Sequence, residues 1–361
     1  MKTVRKVLAW AQRNERHLGG IVFFFGFLTD LLTFTLLDIS ILNYVFGGYL
    51  VATYIAVFLV HLVSKEVAHP SVFRRSVRVL LPLVAQYLIA NMLSGFLIFY
   101  TKSSVLFVSW PFIILLGLVF IGNEWFRTYK DRLIFLATLL FFTTYAYAIF
   151  ALPLFVHRLG PAIFLASTAL SIAVFAAFLF LLWRTGPRRL QGSLLPTIGT
   201  SLAVLIVMMT SYFTGLIPPI PLTLKDSGVY HSLIREGGNY VVLAEKGKEW
   251  WDPRAQILHT VSGEQVYAYS SVFAPIQFGA SIVHRWEYFD PKVQKWVSRG
   301  NTSFPITGGR SNGYRGYSER TLTEMGSWRV RVETANGQTI GQILFTAKEV
   351  SALPPLKREV R

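Results

Sequence analysis

The sequence predicts a polytopic α-helical membrane protein with about seven transmembrane helices, followed by a small antiparallel β-sandwich of immunoglobulin-like shape. Of its 361 residues, 53% are hydrophobic and 15% are charged, whereas about a quarter of the residues in soluble domains are charged. The first 217 residues hold 17 Lys and Arg but 6 Asp and Glu, separated by long uncharged runs. The remaining residues hold 18 basic and 13 acidic residues in short alternating runs, which are typical of strands.

Seven apolar segments are long enough, or nearly so, to cross a hydrocarbon core of about 30 Å, which takes about 20 helical residues. They are residues 20–37, 41–62, 79–99, 103–122, 133–152, 162–183 and 197–217. Together they define a transmembrane domain over residues 19–217. Residues 1–18 place basic side chains between Val4, Val7, Leu8 and Ala11, which predicts a helix lying on the cytoplasmic membrane surface.

The distribution of basic residues predicts the orientation, because cytoplasmic loops retain Lys and Arg. The N-terminus and every second loop after it carry 15 basic residues, and the alternate loops carry 2. The N-terminus is therefore expected in the cytoplasm and the C-terminal domain outside it. The net charge of +16 follows largely from this rule, so we expect no nucleic-acid partner.

Polar residues within the apolar segments are candidates for intramembrane function, since a charge in hydrocarbon is costly unless it is paired or solvated. They are Asp30 in the first segment and Gln86 and Asn91 in the third. The alternative is simple hydrogen bonding between helices. We expect Asp30 to face the bundle interior and to be protonated or hydrogen-bonded there.

Small residues four apart form two stripes that permit close helix packing. Gly48, Ala52 and Ala56 form one, and Ala169, Ala173 and Ala177 form the other. We predict helix contacts within the bundle, with an oligomer interface as the alternative.

A proline-rich connector over residues 218–224 leads to the predicted β-sandwich over residues 225–361. Trp328, Val330 and Val332 alternate with charged residues, and Ala335-Asn336-Gly337 supplies a turn before another apolar run. Residues 328–346 therefore predict a hairpin.

Catalytic and metal motifs are absent from the sequence. It has no cysteine, which excludes disulfides and thiolate chemistry, and it lacks nucleophile-elbow, phosphate-loop and zinc-helix motifs. His231, His259 and His284 have no metal-ligand spacing and are expected to be structural or surface residues. We predict no catalytic residue, no metal and no cofactor.

Residues 308–318 concentrate four glycines, two arginines and two tyrosines. Guanidinium groups and tyrosine rings suit carboxylate, phosphate or sugar ligands. The alternative is a long loop pinned to the sandwich by its own side chains. The ligand-binding candidates, including Arg285 from a second segment, are Arg310, Tyr314, Arg315, Tyr317 and Arg285.

Several segments carry a resemblance to a known family. They include His284-Arg285-Trp286-Glu287-Tyr288, the run over 308–318, and residues 326–334 followed by Ile340-Gly341. Over residues 266–347 the chain resembles an uncharacterised domain family found on membrane proteins of Gram-negative bacteria, a domain of unknown function. The resemblance implies an inner-membrane protein with a periplasmic domain, and it brings no activity.

Three functions are consistent with these features. The first is a non-enzymatic envelope protein in the lipid bilayer, whose periplasmic domain binds a protein or an anionic glycan. The second is a membrane enzyme acting on a lipid-linked or anionic substrate near Asp30. The third is a membrane sensor that signals through a separate partner.

Overall fold

A computed structural model of the protein describes residues 25, 28–30, 39–63, 72–103, 114, 129–186, 190–217, 222–245, 256–261, 263–274, 279–308 and 313–361. The chain divides into two compact units, one helical and the other rich in strands, with the main division after Ile217. The helical N-terminal part and the β-rich C-terminal part confirm the broad prediction. The N-terminal segment 1–18 and the connector residues 218–221 lie outside the described residues.

The helices of the described part are α1 (Ile39–Val63), α2 (Val72–Ser103), α3 (Tyr129–Val156), α4 (Pro161–Thr185) and α5 (Leu194–Phe213). Each contains a stretch long and apolar enough to cross a membrane. They coincide with five of the seven predicted spans. The other two, 20–37 and 103–122, fall mostly outside the described residues, so the described structure supports five candidate spans and not seven.

Hydroxyl pairs join α3 to three of its neighbours. Tyr145 Oη lies 2.7 Å from Thr168 Oγ1 on α4, and Tyr54 Oη of α1 lies 2.8 Å from Thr144 Oγ1. Thr138 Oγ1 and Thr200 Oγ1 on α5 are 2.6 Å apart. Such hydrogen bonds hold helices together where apolar burial gives little drive.

The two small-residue stripes differ in their packing. In the first stripe Ala56 is buried but Gly48 is exposed. Ala169, Ala173 and Ala177 are all exposed, so for this stripe the predicted contact within the bundle is wrong. The buried face of α4 carries Phe164, Phe175 and Phe178 instead, of which the first two pack against rings of α3 and Phe178 packs against Tyr54 of α1.

The strands of the β-rich unit form three sheets. In chain order they are β1 (Thr223–Tyr230), β2 (Ser232–Glu236), β3 (Asn239–Glu245), β4 (Gln256–Thr260), β5 (Gln265–Phe273), β6 (Gly279–Asp290), β7 (Lys295–Thr307), β8 (Tyr314–Thr321), β9 (Gly326–Thr334), β10 (Thr339–Glu349) and β11 (Leu356–Val360). The central sheet has the order β1-β5-β8, the large sheet β4-β10-β9-β6-β7, and the small sheet β11-β3-β2. Pairing is antiparallel except between β4 and β10, which are parallel.

The predicted hairpin is confirmed by the antiparallel pairing of β9 with β10, in which Val330 lies opposite Ile343. The turn between them places Gly337 at φ 79°, a backbone conformation that glycine adopts without strain. β1 begins at Thr223, within the segment that the proline content predicts as connector.

One buried cluster joins the central and large sheets. Its largest members are Trp286, Trp328 and Phe345 of the large sheet, and Val229 and Ala268 of the central sheet pack with them. A second cluster joins the other face of the central sheet to the small sheet, through Tyr269 and Tyr240. The immunoglobulin-like shape stays a prediction.

Candidate functional site

Five tyrosines from four strands form a continuous row, here called the tyrosine row, between the central sheet and the small sheet. Successive ring centroids are 6.4, 5.7, 6.0 and 6.3 Å apart. In order, the row consists of Tyr230, Tyr269, Tyr240, Tyr317 and Tyr267. Tilted and edge-on rings at these separations attract one another, so the five rings hold one another in place.

The row passes from the interior to the surface. Tyr230, Tyr269 and Tyr240 are buried, Tyr267 is half-buried, and Tyr317 is 42% exposed. Burial raises the pKa of Tyr269 to about 12 and also raises the pKa of Tyr230, so both phenols stay neutral. The exposed end of the row therefore offers a tyrosine ring whose position is fixed by buried rings behind it.

Arg315 lies two residues before Tyr317 on β8 and so shares its face of the sheet. Its Nη1 donates to the carbonyl oxygen of Arg361 at 2.7 Å and to Asn239 Oδ1 at 3.3 Å. These acceptors lie at the ends of the small sheet. Arg315 therefore ties the small sheet to the central sheet, and it also places a guanidinium beside the exposed ring.

Within the run 308–318, residues 314–318 form part of a strand, so the loop interpretation is wrong for them, whereas residues 309–312 lie outside the described residues. Residues from Tyr314 onward belong to β8 and pair with β5. Gly316 faces the core, where the ring of Phe304 occupies the position a side chain would take. Tyr314 is half-buried, and Arg310 lies outside the described residues. The glycines conceal the alternation of a strand, which is why the sequence suggests a loop.

Arg285 is not brought together with Arg315 and Tyr317. It lies on the outer face of the large sheet, where Arg285 Nε is 3.0 Å from Glu333 Oε2. Trp286, the next residue, faces the core, and successive side chains of a strand point to opposite faces. The large sheet's core face meets the central sheet, so the two arginines lie on opposite sides of that core.

Arginines and glutamates alternate on this outer face and form what we call the Arg–Glu ladder. Glu333 also accepts from Arg331 Nη2 at 2.7 Å. Glu287 accepts from Arg329, whose guanidinium carbon lies 4.4 Å from the Trp296 ring centroid. The ladder consists of Arg285, Glu333, Arg331, Glu287 and Arg329. Both glutamate carboxylates are buried and paired with arginines, so their charges are balanced within the ladder.

His284 joins the two large layers of the domain. Its Nε2 lies 2.7 Å from Ser270 Oγ and its Nδ1 lies 2.9 Å from Ser318 Oγ, which also accepts from Trp286 Nε1 at 2.9 Å. All three polar side chains are buried, and burial lowers the pKa of His284 to about 3. The contact between serine and histidine is closed to substrate, and His284 is structural, as predicted.

A second histidine lies between two carboxylates. His231 Nδ1 is 2.9 Å from Glu264 Oε1, and His231 Nε2 is 3.0 Å from Glu245 Oε1. Glu245 also contacts His259 Nδ1 at 2.7 Å. The sequence gives no sign of this cluster because its members come from four different turns and strands. Among the described residues, no group of three or more His, Asp or Glu has a geometry that could hold a metal ion.

The polar residues of the helical unit occupy different environments. Asp30 is 2% exposed and hydrogen-bonds to Ser94 of α2, which confirms the predicted interior position. Asn91 is fully buried, whereas Gln86 is half-buried. Ser94 was not predicted, since a serine in an apolar segment carries no signal without its neighbour in space.

Comparison with known proteins gives a match to one family. Residues 279–347 match the model of a protein of unknown function, DUF2914. This segment runs from β6 to β10 and contains the Arg–Glu ladder and His284, so a domain of unknown function is present at the C-terminus. No curated protein matches the chain.

Among solved structures, the chain is similar to an alkylpurine DNA glycosylase, AlkC of Pseudomonas fluorescens, bound to DNA containing an abasic site analog. The alignment covers 86% of this chain and 97% of that one at 12% identity, with a TM-score of 0.20. A score this low supports no statement about fold or function.

Proposed function

We propose that this chain is a multi-pass protein of a bacterial inner membrane whose C-terminal domain is a non-enzymatic binding module for an anionic glycan or a protein. The observation that carries the proposal is the exposed end of the tyrosine row. There Tyr317 is held by Tyr240 and Tyr267 and lies on the same strand face as Arg315. The arrangement supplies an apolar ring and a cationic donor side by side.

The chemistry of this surface suits an acidic sugar. An aromatic ring packs against the apolar face of a pyranose, and the phenol or guanidinium beside it binds hydroxyl and carboxylate oxygens. Arg315 uses Nη1 for its two internal acceptors, and a guanidinium carries further N–H donors at Nη2 and Nε. Because the buried tyrosines fix the ring in advance, little ordering entropy is lost on binding.

The membrane setting rests on composition and charge. Five described helices are long and apolar enough to span, and the apolar composition of residues 20–37 and 103–122 leads us to propose two further spans. With the N-terminus inside, as the excess of basic residues in alternate loops favours, seven spans place the β-rich domain in the periplasm.

The binding proposal is tested with the full chain in lipid nanodiscs and with polygalacturonate as an acidic polysaccharide probe. Tyr317→Ala removes the exposed ring and is expected to weaken binding at least tenfold, since a central aromatic contact contributes about 2 kcal/mol. Leu344→Ala is the matched control: Leu344 is also 42% exposed but lies on the large sheet. Neutral dextran should bind more weakly than polygalacturonate, and salt should weaken the acidic probe.

Equal binding by wild type and Tyr317→Ala would remove the tyrosine row from the site. If no polysaccharide binds, a photoreactive residue at position 317 tests for a protein partner. A periplasmic protein that is crosslinked from this position, and is no longer crosslinked when Arg315→Ala is added, would support that partner. Crosslinking from position 344 instead would contradict the proposed surface.

Topology is tested separately by fusing a reporter that is active only outside the cytoplasm. A fusion after Leu222 should be active and a fusion after Gly186 should be inactive. Activity at both positions would contradict the seven-span arrangement.

A further inference from the structure

A second site lies in the helical unit, where the carboxyl group of Asp30 contacts the hydroxyl of Ser94 on α2. Asp30 is 2% exposed, and its Oδ2 is the atom in contact with Ser94 Oγ. Among the described residues, no Lys, Arg or His is within ion-pair distance of it. A buried carboxylate without a cationic partner is costly, so the partners of this group decide its protonation state.

The single hydroxyl proton of Ser94 determines which protonation state of Asp30 fits the contacts. Ser94 Oγ also lies 3.0 Å from the backbone carbonyl oxygen of Asn91. A serine hydroxyl carries one proton, and both a carboxylate and a carbonyl can only accept. If Asp30 were ionised, one of the two contacts would join two acceptors. A protonated Asp30 satisfies both, because its O–H donates to Ser94 Oγ while Ser94 donates to the Asn91 carbonyl.

The side chain of Asn91 is the second, independent feature. It is fully buried, and neither Oδ1 nor Nδ2 has a hydrogen-bond partner. Asn91 lies three residues before Ser94, which puts the two residues on one side of α2. A buried amide without a partner is costly, and Asn91 shares its side of α2 with the Ser94 hydroxyl that contacts Asp30, so its Nδ2 is a candidate donor for the ionised carboxylate.

Two further titratable groups surround the site. Tyr49 of α1 interacts electrostatically with Asp30 and with Tyr87 of α2. Neither phenol carries a positive charge, so neither replaces the proton as a counter-charge for the carboxylate.

We propose that Asp30, Ser94 and Asn91 form a proton-binding site within the helical unit. In the protonated state the chain of donors runs from Asp30 to Ser94 to the Asn91 carbonyl. On ionisation the proton passes to water, the Ser94 hydroxyl turns to donate to the carboxylate, and Asn91 Nδ2 supplies a second donor. The two states differ by one proton and by the rotamers of the Ser94 and Asn91 side chains.

The test uses infrared spectroscopy on the full chain in lipid nanodiscs, titrated from neutral to alkaline pH. Exposed carboxyl groups are ionised throughout this range, so the carbonyl stretch of a protonated carboxylic acid reports a shielded group. Wild type should show this band at neutral pH and lose it at higher pH. Asp30→Asn should lack it. Absence of the band in the wild type at neutral pH would overturn the proposal, whether or not the variant folds.

Two variants separate a proton site from a merely buried acid. Asn91→Leu removes the donor that stabilises the ionised state and should move the midpoint of band loss upward by about one pH unit, a tenfold change in proton affinity. The matched control is Asn43→Leu, because Asn43 of α1 is also a buried amide with an unbonded Oδ1. An unchanged midpoint in Asn91→Leu, or an equal shift in the control, would contradict the assigned role of Asn91.

The last test uses sodium, because a carboxylate, a hydroxyl and a carbonyl oxygen also suit a hard cation. The titration is repeated with sodium chloride replacing choline chloride at constant ionic strength. The proposal expects the same midpoint in both salts. Loss of the band on adding sodium at fixed pH would show that the site binds a metal cation in place of a proton.

Discussion

His284 of β6 and Ser318 of β8 belong to different sheets, and His284 Nδ1 lies 2.9 Å from Ser318 Oγ. With Ser270 on β5 bonded to the other ring nitrogen, one imidazole connects the large sheet to two strands of the central sheet. A neutral ring satisfies this geometry, since Ser318 can donate to Nδ1 while Nε2–H donates to Ser270. A second ring proton would meet a serine hydroxyl that is already donating to the ring.

The first prediction concerns pH. The pKa of His284 falls from 6.5 to about 3 in the folded domain because of burial. As pH drops below 6.5, the unfolded chain takes up a proton that the folded chain does not bind until about pH 3. The stability that His284 contributes is therefore complete above pH 6.5 and is lost as pH falls. Between pH 6.5 and about 5 the loss should be about 1–2 kcal/mol.

Pulse proteolysis of the full chain in detergent, across a urea series at each pH, measures this stability. His284→Gln should flatten the pH dependence in that window, whereas His259→Gln, which replaces a partly exposed histidine of the same domain, should retain it. Identical pH profiles for wild type and His284→Gln would contradict the assignment.

The sequence predicts local features of this fold better than contacts between distant strands. The five described helices follow from uninterrupted apolar runs, and the β9–β10 hairpin follows from alternation and its Asn-Gly turn. The tyrosine row could not be predicted, because Tyr230 and Tyr317 are 87 positions apart and meet only through Tyr269 and Tyr240. Each tyrosine alone looks like an ordinary strand residue.

The Arg–Glu ladder could be predicted only in part. Alternation along residues 327–333 shows that Arg329, Arg331 and Glu333 share one face. It does not show which residues of β6 lie opposite, and the register pairs Arg285 with Arg331 and Glu287 with Arg329. Register depends on the whole sheet, so the pairing of these charges becomes visible only in three dimensions.

The second prediction concerns Gly316. A methyl group at this position would lie about 2.2 Å from the ring of Phe304, well inside van der Waals contact. Gly316→Ala should therefore destabilise the domain by about 1–3 kcal/mol through overpacking. Gly279→Ala is the control, because nothing lies within 4 Å of the added methyl there. The urea midpoint of unfolding, measured by pulse proteolysis, compares the stability of the two variants. Equal midpoints would contradict the close approach of Phe304 to Gly316.

The third prediction separates a buried ion pair from an exposed one at equal distance. Arg331 Nη2 lies 2.7 Å from Glu333 Oε1, and Arg358 Nη2 lies 2.7 Å from Glu236 Oε2. The Glu333 side chain is 2% exposed, whereas that of Glu236 is 52% exposed. Glu333→Gln should cost about 1–3 kcal/mol, because it leaves arginines without a carboxylate in a shielded place. Glu236→Gln should cost less than about 1 kcal/mol.

Hydrogen exchange of peptides from β9 and from β2 in the full chain reports each change locally. Faster exchange in β9 for Glu333→Gln, with little change in β2 for Glu236→Gln, is the expected pattern. Similar small effects in both places would show that the ladder contributes no more than an ordinary surface pair.

The fourth prediction concerns the two roles of Arg315. Its Nη1 bonds to Arg361 and Asn239 are at the surface, so Arg315→Ala should destabilise the domain by only about 1 kcal/mol. The loss should appear as faster hydrogen exchange in β11 and β3, whose ends these bonds tie down. Arg235→Ala, at an exposed position of the small sheet, is the control and should change stability by less than about 0.5 kcal/mol. Tyr317 contacts β3 through the ring of Tyr240 but donates no hydrogen bond to β11, so Tyr317→Ala should loosen β3 less than Arg315→Ala does and leave exchange in β11 unchanged while weakening polysaccharide binding. If both substitutions instead loosened the small sheet equally, the exposed ring would be part of the scaffold, and weaker binding by Tyr317→Ala would no longer indicate direct contact with the ligand.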